Sequence, residues 1–381
     1  MSMVKRKRTL LNKVSLLLVI LLVAGITALG CARTGEIPRG WTGGAIADGT
    51  LFLGSMGGEL IAVDVSDGGR LWEPVVLETT PSGGFSFGCT PSATAVAIYG
   101  DLAVAGDLFY VGGYDGKIYA FNTASGALRW IYPRQGELLP IVGGPVVALG
   151  KIYIGNSDGN LYVLDAATGD YQWQFTSGDK IWSTPAIADG TVYIASFDKK
   201  LYALDATDGG EKWQFEAEGT IVAPPVIAGN TVYIGSFDRY FYAIDAADGS
   251  LNWKFMAKNW FWAKAVVYGD TVYAASLDGK VYALNAASGD KLAEIDLASP
   301  ISSSPVVVDD VVIVASEEGK IYSINTSNNS KRELIDLELR INSPLSASQG
   351  VVYVHTQEKE ALYALNVQTG VLLWTLPLTG E

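Results

Sequence analysis

The sequence is poor in the residues from which most catalytic and metal sites are built. It holds one histidine and two cysteines among 381 residues, so a zinc site, which needs several His or Cys ligands, is nearly excluded. No Walker loop, CxxCH haem motif or dinucleotide-binding glycine pattern occurs. His355 is the only candidate base for a catalytic triad, and no G-x-S-x-G motif accompanies it. These absences argue against the common hydrolases and cofactor enzymes.

Helical periodicity is absent beyond residue 30, and the one long apolar run lies at the N terminus. Residues 14–29 follow five basic residues and precede Gly30 and Cys31, an order typical of a signal peptide. The run is also shorter than the roughly 20 residues that span a membrane. Residues 28–31, Ala-Leu-Gly-Cys, resemble a bacterial lipoprotein box. We therefore predict cleavage after residue 30 and lipid on Cys31, with an uncleaved membrane anchor as the alternative.

The predicted mature chain has few basic residues. Cleavage removes five basic residues and no acidic ones, which leaves 22 Lys and Arg (27 minus 5) against 40 Asp and Glu. A charge of minus 18 (22 minus 40) repels nucleic acid and anionic lipid and favours a basic or envelope-associated protein partner. With lipid on Cys31, Cys89 is the only remaining thiol, so no intrachain disulfide is expected.

A repeat of about 40 residues fills the rest of the chain. Each unit holds four short apolar stretches separated by turn residues; in the fourth unit they cover 183–188, 191–196, 200–205 and 211–216. Turns this short join antiparallel neighbours. We predict an all-β fold, an eight-bladed β-propeller of four-stranded antiparallel blades, with a tether over 31–40 and one domain over 41–381. All four strands of each blade are expected to come from one repeat unit, with no strand exchanged at ring closure. The repeated turn residue is Asp or Asn at 64, 122, 165, 205, 245, 285, 325 and 366.

Internal copies separate scaffold from site. Because four units carry Asn where four carry Asp, the turn needs an oxygen acceptor rather than a charge. The glycine that follows is replaced once, by Asn329, which also tolerates positive φ. Units six and seven carry Ala293 and Glu333 where a tryptophan recurs, so looser packing is expected there. The recurring tryptophans are Trp72, Trp130, Trp173, Trp213, Trp253 and Trp374.

The segment 165–169, Asp-Ala-Ala-Thr-Gly, followed by Trp173 resembles the quinoprotein or PQQ-type propeller repeat. With the signal peptide, Cys31 and eight units, the chain resembles the BamB-like lipoproteins. This resemblance implies that the recurring tryptophans dock between blades. It also implies a monomeric, non-catalytic, extracytoplasmic scaffold for protein–protein interaction, lipid-anchored to a bacterial membrane and acting in envelope or outer-membrane protein assembly.

A candidate partner site remains once the repeated positions are subtracted. Loops from second to third strands share one face with the connections between blades, because strands alternate in direction. Aromatic and basic residues of units four to six are concentrated on this face, a composition typical of binding hot spots. The alternative is that the aromatic side chains only fill the mouth of the central channel. An insertion between units one and two, with Phe85, Phe87 and Cys89, belongs to the same face. The predicted patch comprises Trp182, Phe197, Phe237, Arg239, Tyr240, Trp260, Trp262 and Lys264.

Three further hypotheses stay open. The resemblance allows a PQQ-dependent dehydrogenase with calcium, although the vicinal cysteine pair typical of those enzymes is absent. A small-ligand sensor would use the central channel. Turn aspartates on the same face could bind calcium at the channel mouth, but the Asp-Gly pattern at 115, 158 and 278 favours a turn role. No catalytic residue, metal or cofactor is predicted. These aspartates are Asp115, Asp158, Asp198, Asp238 and Asp278.

Overall fold

The computed structural model describes residues 40–78 and 95–378. The predicted signal peptide, Cys31, nearly all of the tether and the insertion residues Phe85, Phe87 and Cys89 lie outside these ranges. All described residues belong to one compact unit. They form an eight-bladed propeller of four-stranded antiparallel sheets without helices, which confirms the predicted fold class. None of the residues in this part of the chain forms a helix long and apolar enough to cross a membrane.

Blades one to four contain the first sixteen strands. They are β1 Ala45–Ala47, β2 Thr50–Gly54, β3 Glu59–Asp64 and β4 Val75–Val76; β5 Ala103–Ala105, β6 Leu108–Gly112, β7 Ile118–Asn122 and β8 Leu128–Tyr132; β9 Val146–Ala148, β10 Lys151–Gly155, β11 Asn160–Asp165 and β12 Tyr171–Thr176; β13 Ala186–Ala188, β14 Thr191–Ala195, β15 Lys200–Asp205 and β16 Glu211–Glu216.

Blades five to eight contain the other sixteen. They are β17 Val226–Ala228, β18 Thr231–Gly235, β19 Tyr240–Asp245 and β20 Leu251–Met256; β21 Val266–Tyr268, β22 Thr271–Ala275, β23 Lys280–Asn285 and β24 Lys291–Asp296; β25 Val306–Val308, β26 Val311–Ala315, β27 Lys320–Asn325 and β28 Lys331–Asp336; β29 Ser346–Ser348, β30 Val351–Thr356, β31 Ala361–Asn366 and β32 Leu372–Pro377.

Within each blade, strands pair in chain order, as the short turns require. The third and fourth strands of blade four match the predicted boundaries, whereas the first is shorter, starting at Ala186 rather than at 183. Pro185 has no N–H to donate, and the Ser183 hydroxyl bonds the Ala195 carbonyl instead (2.9 Å). The core lies between adjacent blades, in a series of buried clusters contributed by neighbouring sheets.

The repeated Asp or Asn caps its own turn. Asp165 Oδ1 accepts the N–H groups of Ala167 (3.0 Å) and Thr168 (2.9 Å). Asn122 Oδ1 accepts the corresponding pair in blade two, at 3.2 and 3.1 Å. The amide and the carboxylate thus perform the same task, which explains why both occur in this column.

Adjacent blades are joined at the carbonyl that follows this turn residue. The Trp213 Nε1–H donates to the Ala246 carbonyl of the next blade (3.0 Å), and the Tyr193 hydroxyl approaches the same oxygen (3.4 Å). Trp72, Trp130, Trp253 and Trp374 donate in the same way. Trp173 makes no such bond; the Ala206 carbonyl there accepts the Tyr153 hydroxyl (2.9 Å) and the Lys151 ammonium (3.4 Å).

The tryptophan also constrains the turn glycine of the next blade. Gly249 has φ +76°, and a Cβ placed on it would lie 2.7 Å from the Trp213 ring. The exception is blade seven, where Asn329 has φ 56° and the preceding blade carries Ala293 instead of tryptophan. Asn329 Oδ1 accepts the Tyr273 hydroxyl (2.9 Å). The asparagine side chain therefore occupies space that an indole takes elsewhere.

Blade seven departs from the predicted alignment. In blades two, four, five, six and eight the tryptophan column pairs with an alanine of the third strand, as Ala243 does with Trp253, and in blade three Trp173 pairs with Val163. In blade seven the bulge comes earlier, so Ser323 pairs with Arg332 and Glu333 pairs with Tyr322. Arg332 then donates to the carbonyls of the next blade at Val367 (3.1 Å) and Gln368 (2.6 Å). Arg332, and not Glu333, takes the tryptophan's place.

The ring closes by contacts between blades one and eight, with no strand exchanged among the described residues. The Gly44 N–H donates to Ser346 Oγ (2.9 Å), and Trp374 donates to the Val65 carbonyl (3.2 Å). His355 is buried at this junction, with Nδ1 3.2 Å from the Thr42 carbonyl and Nε2 3.2 Å from the Glu360 carboxylate. The single histidine thus joins the first blade to the last.

Candidate functional site

One face of the propeller carries the predicted patch. The loops between second and third strands bond the connections that lead into the first strands: Phe197 N–H donates to the Lys180 carbonyl (2.9 Å), and Phe237 N–H to the Thr220 carbonyl (2.9 Å). These bonds place both kinds of loop on a common surface, which we call the top face. In blades two to eight each such loop is tied by a main-chain hydrogen bond to the adjacent connection, which restricts its movement.

The first aromatic cluster on the top face comes from blade four. Trp182 and Phe197 pack edge to face, with ring centroids 4.6 Å apart and an interplanar angle of 70°. The Trp182 Nε1–H donates to Ser157 Oγ in blade three (2.9 Å). The Lys180 ammonium lies 5.4 Å from the Trp182 ring and 6.0 Å from that of Phe197, within range of cation–π attraction.

The second cluster belongs to blades five and six. The Phe237 ring stacks against Trp260 (4.6 Å, 14°) and against Trp262 (5.7 Å, 23°). Trp260 remains 45% exposed, so this stack presents a flat apolar surface to solvent. Thr220 bridges the two clusters, since its hydroxyl reaches the Phe197 carbonyl (3.3 Å) and its own carbonyl accepts the Phe237 N–H.

The other predicted patch residues, Arg239, Tyr240 and Lys264, do not take part in these ring stacks. Tyr240 begins β19 with the Lys254 ammonium 4.2 Å from its ring, and so belongs to the packing of the blade. Arg239 is exposed in the turn before it. Lys264 is exposed in the connection entering blade six, and its N–H donates to Ser304 Oγ (3.1 Å). Burial raises the pKa of Asp101, an effect opposed by the Gly43 N–H and by the nearby Lys264 charge.

A third aromatic cluster on the top face was not predicted from the sequence. Tyr99 packs edge to face with Trp41 (4.7 Å) and with Tyr114 (5.2 Å), in blades one and two. Tyr114 occupies the loop position of Phe197 and Phe237 and is 44% exposed. The signal was available, because Tyr99 and Tyr114 fall outside both repeated tyrosine columns, as Trp41 falls outside the tryptophan column.

The five turn aspartates are engaged in hydrogen bonds within and between blades. Asp238 Oδ2 accepts the Tyr242 hydroxyl (2.7 Å) and the Gly219 N–H (3.0 Å), and Oδ1 accepts the Tyr240 N–H. Burial, followed by this carboxylate bond, raises the pKa of Tyr242. Each of the other four accepts the corresponding tyrosine hydroxyl at 2.6 or 2.7 Å. Nowhere in residues 40–78 and 95–378 do three His, Cys, Asp or Glu side chains gather as metal ligands would.

This architecture is similar to that of known proteins. The family model described as outer membrane protein assembly factor BamB matches residues 31–180 and 157–376. The crystal structure of BamB from Moraxella catarrhalis is 21% identical, with a TM-score of 0.62 over 74% of this chain and 85% of that one. The computationally designed Ika8 protein is 15% identical, with a TM-score of 0.70 over 86% and 96%. No curated protein matches.

The two solved structures support the fold alone, since both are distant in sequence and one is a designed protein. The family model carries more weight, because its two matches run from residue 31 to residue 376 and include all eight blades. The chain therefore belongs to the family described as outer membrane protein assembly factor BamB.

Proposed function

We propose that this protein is a non-catalytic, extracytoplasmic scaffold, tethered to a membrane by lipid on Cys31, whose top face docks a protein partner in envelope or outer-membrane protein assembly. The observation that carries the proposal is the pair of aromatic clusters on the top face of blades four to six. Aromatic side chains fixed on a rigid frame lose little conformational freedom on binding, and they dominate the energetics of protein interfaces. Family membership supports the same role.

The test is crosslinking of the full chain in native membranes, with Trp182 and Trp262 both changed to Ala. We expect the crosslinked partner band to be lost while the thermal unfolding midpoint stays within a few degrees of wild type, because both tryptophans are only half-buried and neither belongs to the column that donates to the carbonyl of the next blade. Tyr171→Ala is the matched control, since Tyr171 is 49% exposed on a fourth strand away from the top-face clusters. A partner band of unchanged intensity in the double variant would refute the proposal.

The enzyme hypothesis has a separate test. Calorimetric titration of the full chain with pyrroloquinoline quinone, with and without calcium, should give no saturable heat under the scaffold proposal. Saturable binding at one site would overturn the non-catalytic assignment and call for assays of alcohol and sugar oxidation.

A further inference from the structure

The top face of blades four to six carries basic residues that form no ion pair among the described residues, although the molecule as a whole is acidic. All five are exposed, and no carboxylate lies within 4.0 Å of any of their charged groups among the ion pairs of the described residues. By contrast Lys254, on the neighbouring fourth strand, is paired with Glu218 (2.8 Å). The five are Lys180, Lys199, Arg239, Lys258 and Lys264.

Two of these residues stand where the repeat favours glycine. Lys199 and Arg239 occupy the last turn position before the third strand, with φ of 74° and 76°. Five other blades use glycine there, with φ between 74° and 101°. A long side chain in this left-handed region is disfavoured, so these two cations are kept at a local conformational cost. The glycines are Gly58, Gly116, Gly159, Gly279 and Gly319.

The aspartates that precede Lys199 and Arg239 in their turns form no ion pair with them. The carboxylates of Asp198 and Asp238, in the same two turns, accept tyrosine hydroxyls at 2.6 and 2.7 Å and main-chain N–H groups of the adjoining connection. Their oxygens are therefore directed into the loops, whereas the Lys199 and Arg239 side chains are exposed. The result is an aromatic surface bordered by cations that are free to pair with an incoming anion.

We infer that the partner presents to this face a short acidic segment that also carries apolar side chains. The inference rests on the proposed docking function and specifies its chemistry. Apolar groups would cover the Trp260 and Phe237 stack, while carboxylates would meet Lys199 and Arg239. An extended anionic surface, such as nucleic acid or a membrane, would reach beyond the patch and meet the net negative charge of the molecule. A short segment contacts only the patch, and the acidic groups that lie more than a Debye length of about 8 Å away from it are largely screened by salt.

The experiment uses the full chain in mild detergent and a set of fluorescein-labelled peptides. The peptides share the same tryptophan and leucine positions and differ in carrying glutamate, serine or lysine between them. By anisotropy we expect the glutamate peptide to bind about tenfold more tightly than the serine peptide, and the lysine peptide not to bind. This preference should fade as sodium chloride rises from about 0.05 M to about 0.5 M.

The decisive variant is Lys199→Gly with Arg239→Gly, which installs the residue that five other blades use. We expect affinity for the glutamate peptide to fall roughly threefold to tenfold while the thermal midpoint stays level or rises, because the disfavoured φ angles are relieved. The matched control, Arg129→Ala with Lys359→Ala, removes two exposed cations elsewhere and should leave affinity unchanged. Lys359 lies in the equivalent loop of blade eight.

Failure of this inference differs from failure of the docking proposal. Equal binding of the glutamate and serine peptides, or undiminished affinity in the glycine double variant, would overturn the acidic segment even if partner crosslinking still requires Trp182 and Trp262. Phosphatidylglycerol vesicles test the membrane alternative. If they, and not the glutamate peptide, distinguish wild type from the glycine variant, the cations serve a lipid surface and the inference is wrong.

Discussion

Blades four to six and blades seven and eight share one strand plan but differ in their top-face residues. The loop position of Phe197 and Phe237 is taken by Glu317 and Gln357 in blades seven and eight, and the connection position of Trp182 and Trp262 by Ser302 and Asn342. The strand columns change far less between the two regions. Apart from the changes at Ala293, Asn329 and Arg332, residues that join blades are therefore constrained by the scaffold, whereas top-face residues are free to specify a binding surface.

Hydrogen bonding shows the same contrast. Five buried side-chain N or O atoms lack a partner within residues 40–78 and 95–378, and four of them lie in the connections entering blades seven and eight. The connection entering blade four instead uses its buried serine fully, because Ser183 bonds both the carbonyl and the N–H of Ala195. The four unpaired atoms are Ser299 Oγ, Ser302 Oγ, Asn342 Oδ1 and Ser343 Oγ.

The largest difference between the two regions is expected at the turn glycine. Gly249→Ala should lower the free energy of unfolding by about 2–4 kcal/mol, because a Cβ would meet the Trp213 ring in a left-handed backbone conformation. Asn329→Ala, at the same position after a blade without tryptophan, should cost about 1–2 kcal/mol, through loss of the Tyr273 bond and the poorer tolerance of alanine for positive φ, with no clash against an indole. Urea unfolding of both variants provides the measurement. Similar losses in the two would show that the indole does not impose the glycine.

A complementary exchange sharpens this test. Ala293→Trp alone should destabilise the protein, because the new indole would meet the Asn329 side chain, and adding Asn329→Gly should recover most of the loss. Additive effects of the two substitutions would contradict the coupling.

The buried serines give the second comparison. Ser183→Ala should lower the free energy of unfolding by about 1–2 kcal/mol, since the carbonyl and N–H of Ala195 lose a common partner. Ser343→Ala should change it by less than about 0.5 kcal/mol, or raise it, because a buried hydroxyl without a partner is removed. Parallel urea unfolding of the two variants checks this. A larger loss in Ser343→Ala would mean that its hydroxyl is satisfied in solution.

Much of the scaffold could be predicted from internal copies alone. Period, turn chemistry and the exchange of Asp for Asn led to eight blades, and stray tryptophans led to the top face. The relation between Asn329 and Ala293 could not be predicted, because the two residues lie 36 positions apart in the sequence and belong to different blades. The cluster of Tyr99 and Tyr114, by contrast, was open to prediction, because both tyrosines lie outside the tyrosine positions that recur from blade to blade.

The smallest effect on stability is expected for substitutions of Arg332 and Glu333. They test the strand register of blade seven, which the spacing of the repeat predicted wrongly. Counting from the turn places Glu333 in the tryptophan column, whereas the earlier bulge in blade seven puts Arg332 there. Arg332→Ala should lower the free energy of unfolding by about 1 kcal/mol, because two bonds to the carbonyls of Val367 and Gln368 are lost from a partly solvated site. Glu333→Ala, at an exposed side chain, should stay within about 0.5 kcal/mol. The reverse ranking in urea unfolding would restore the original alignment, with Glu333 facing blade eight.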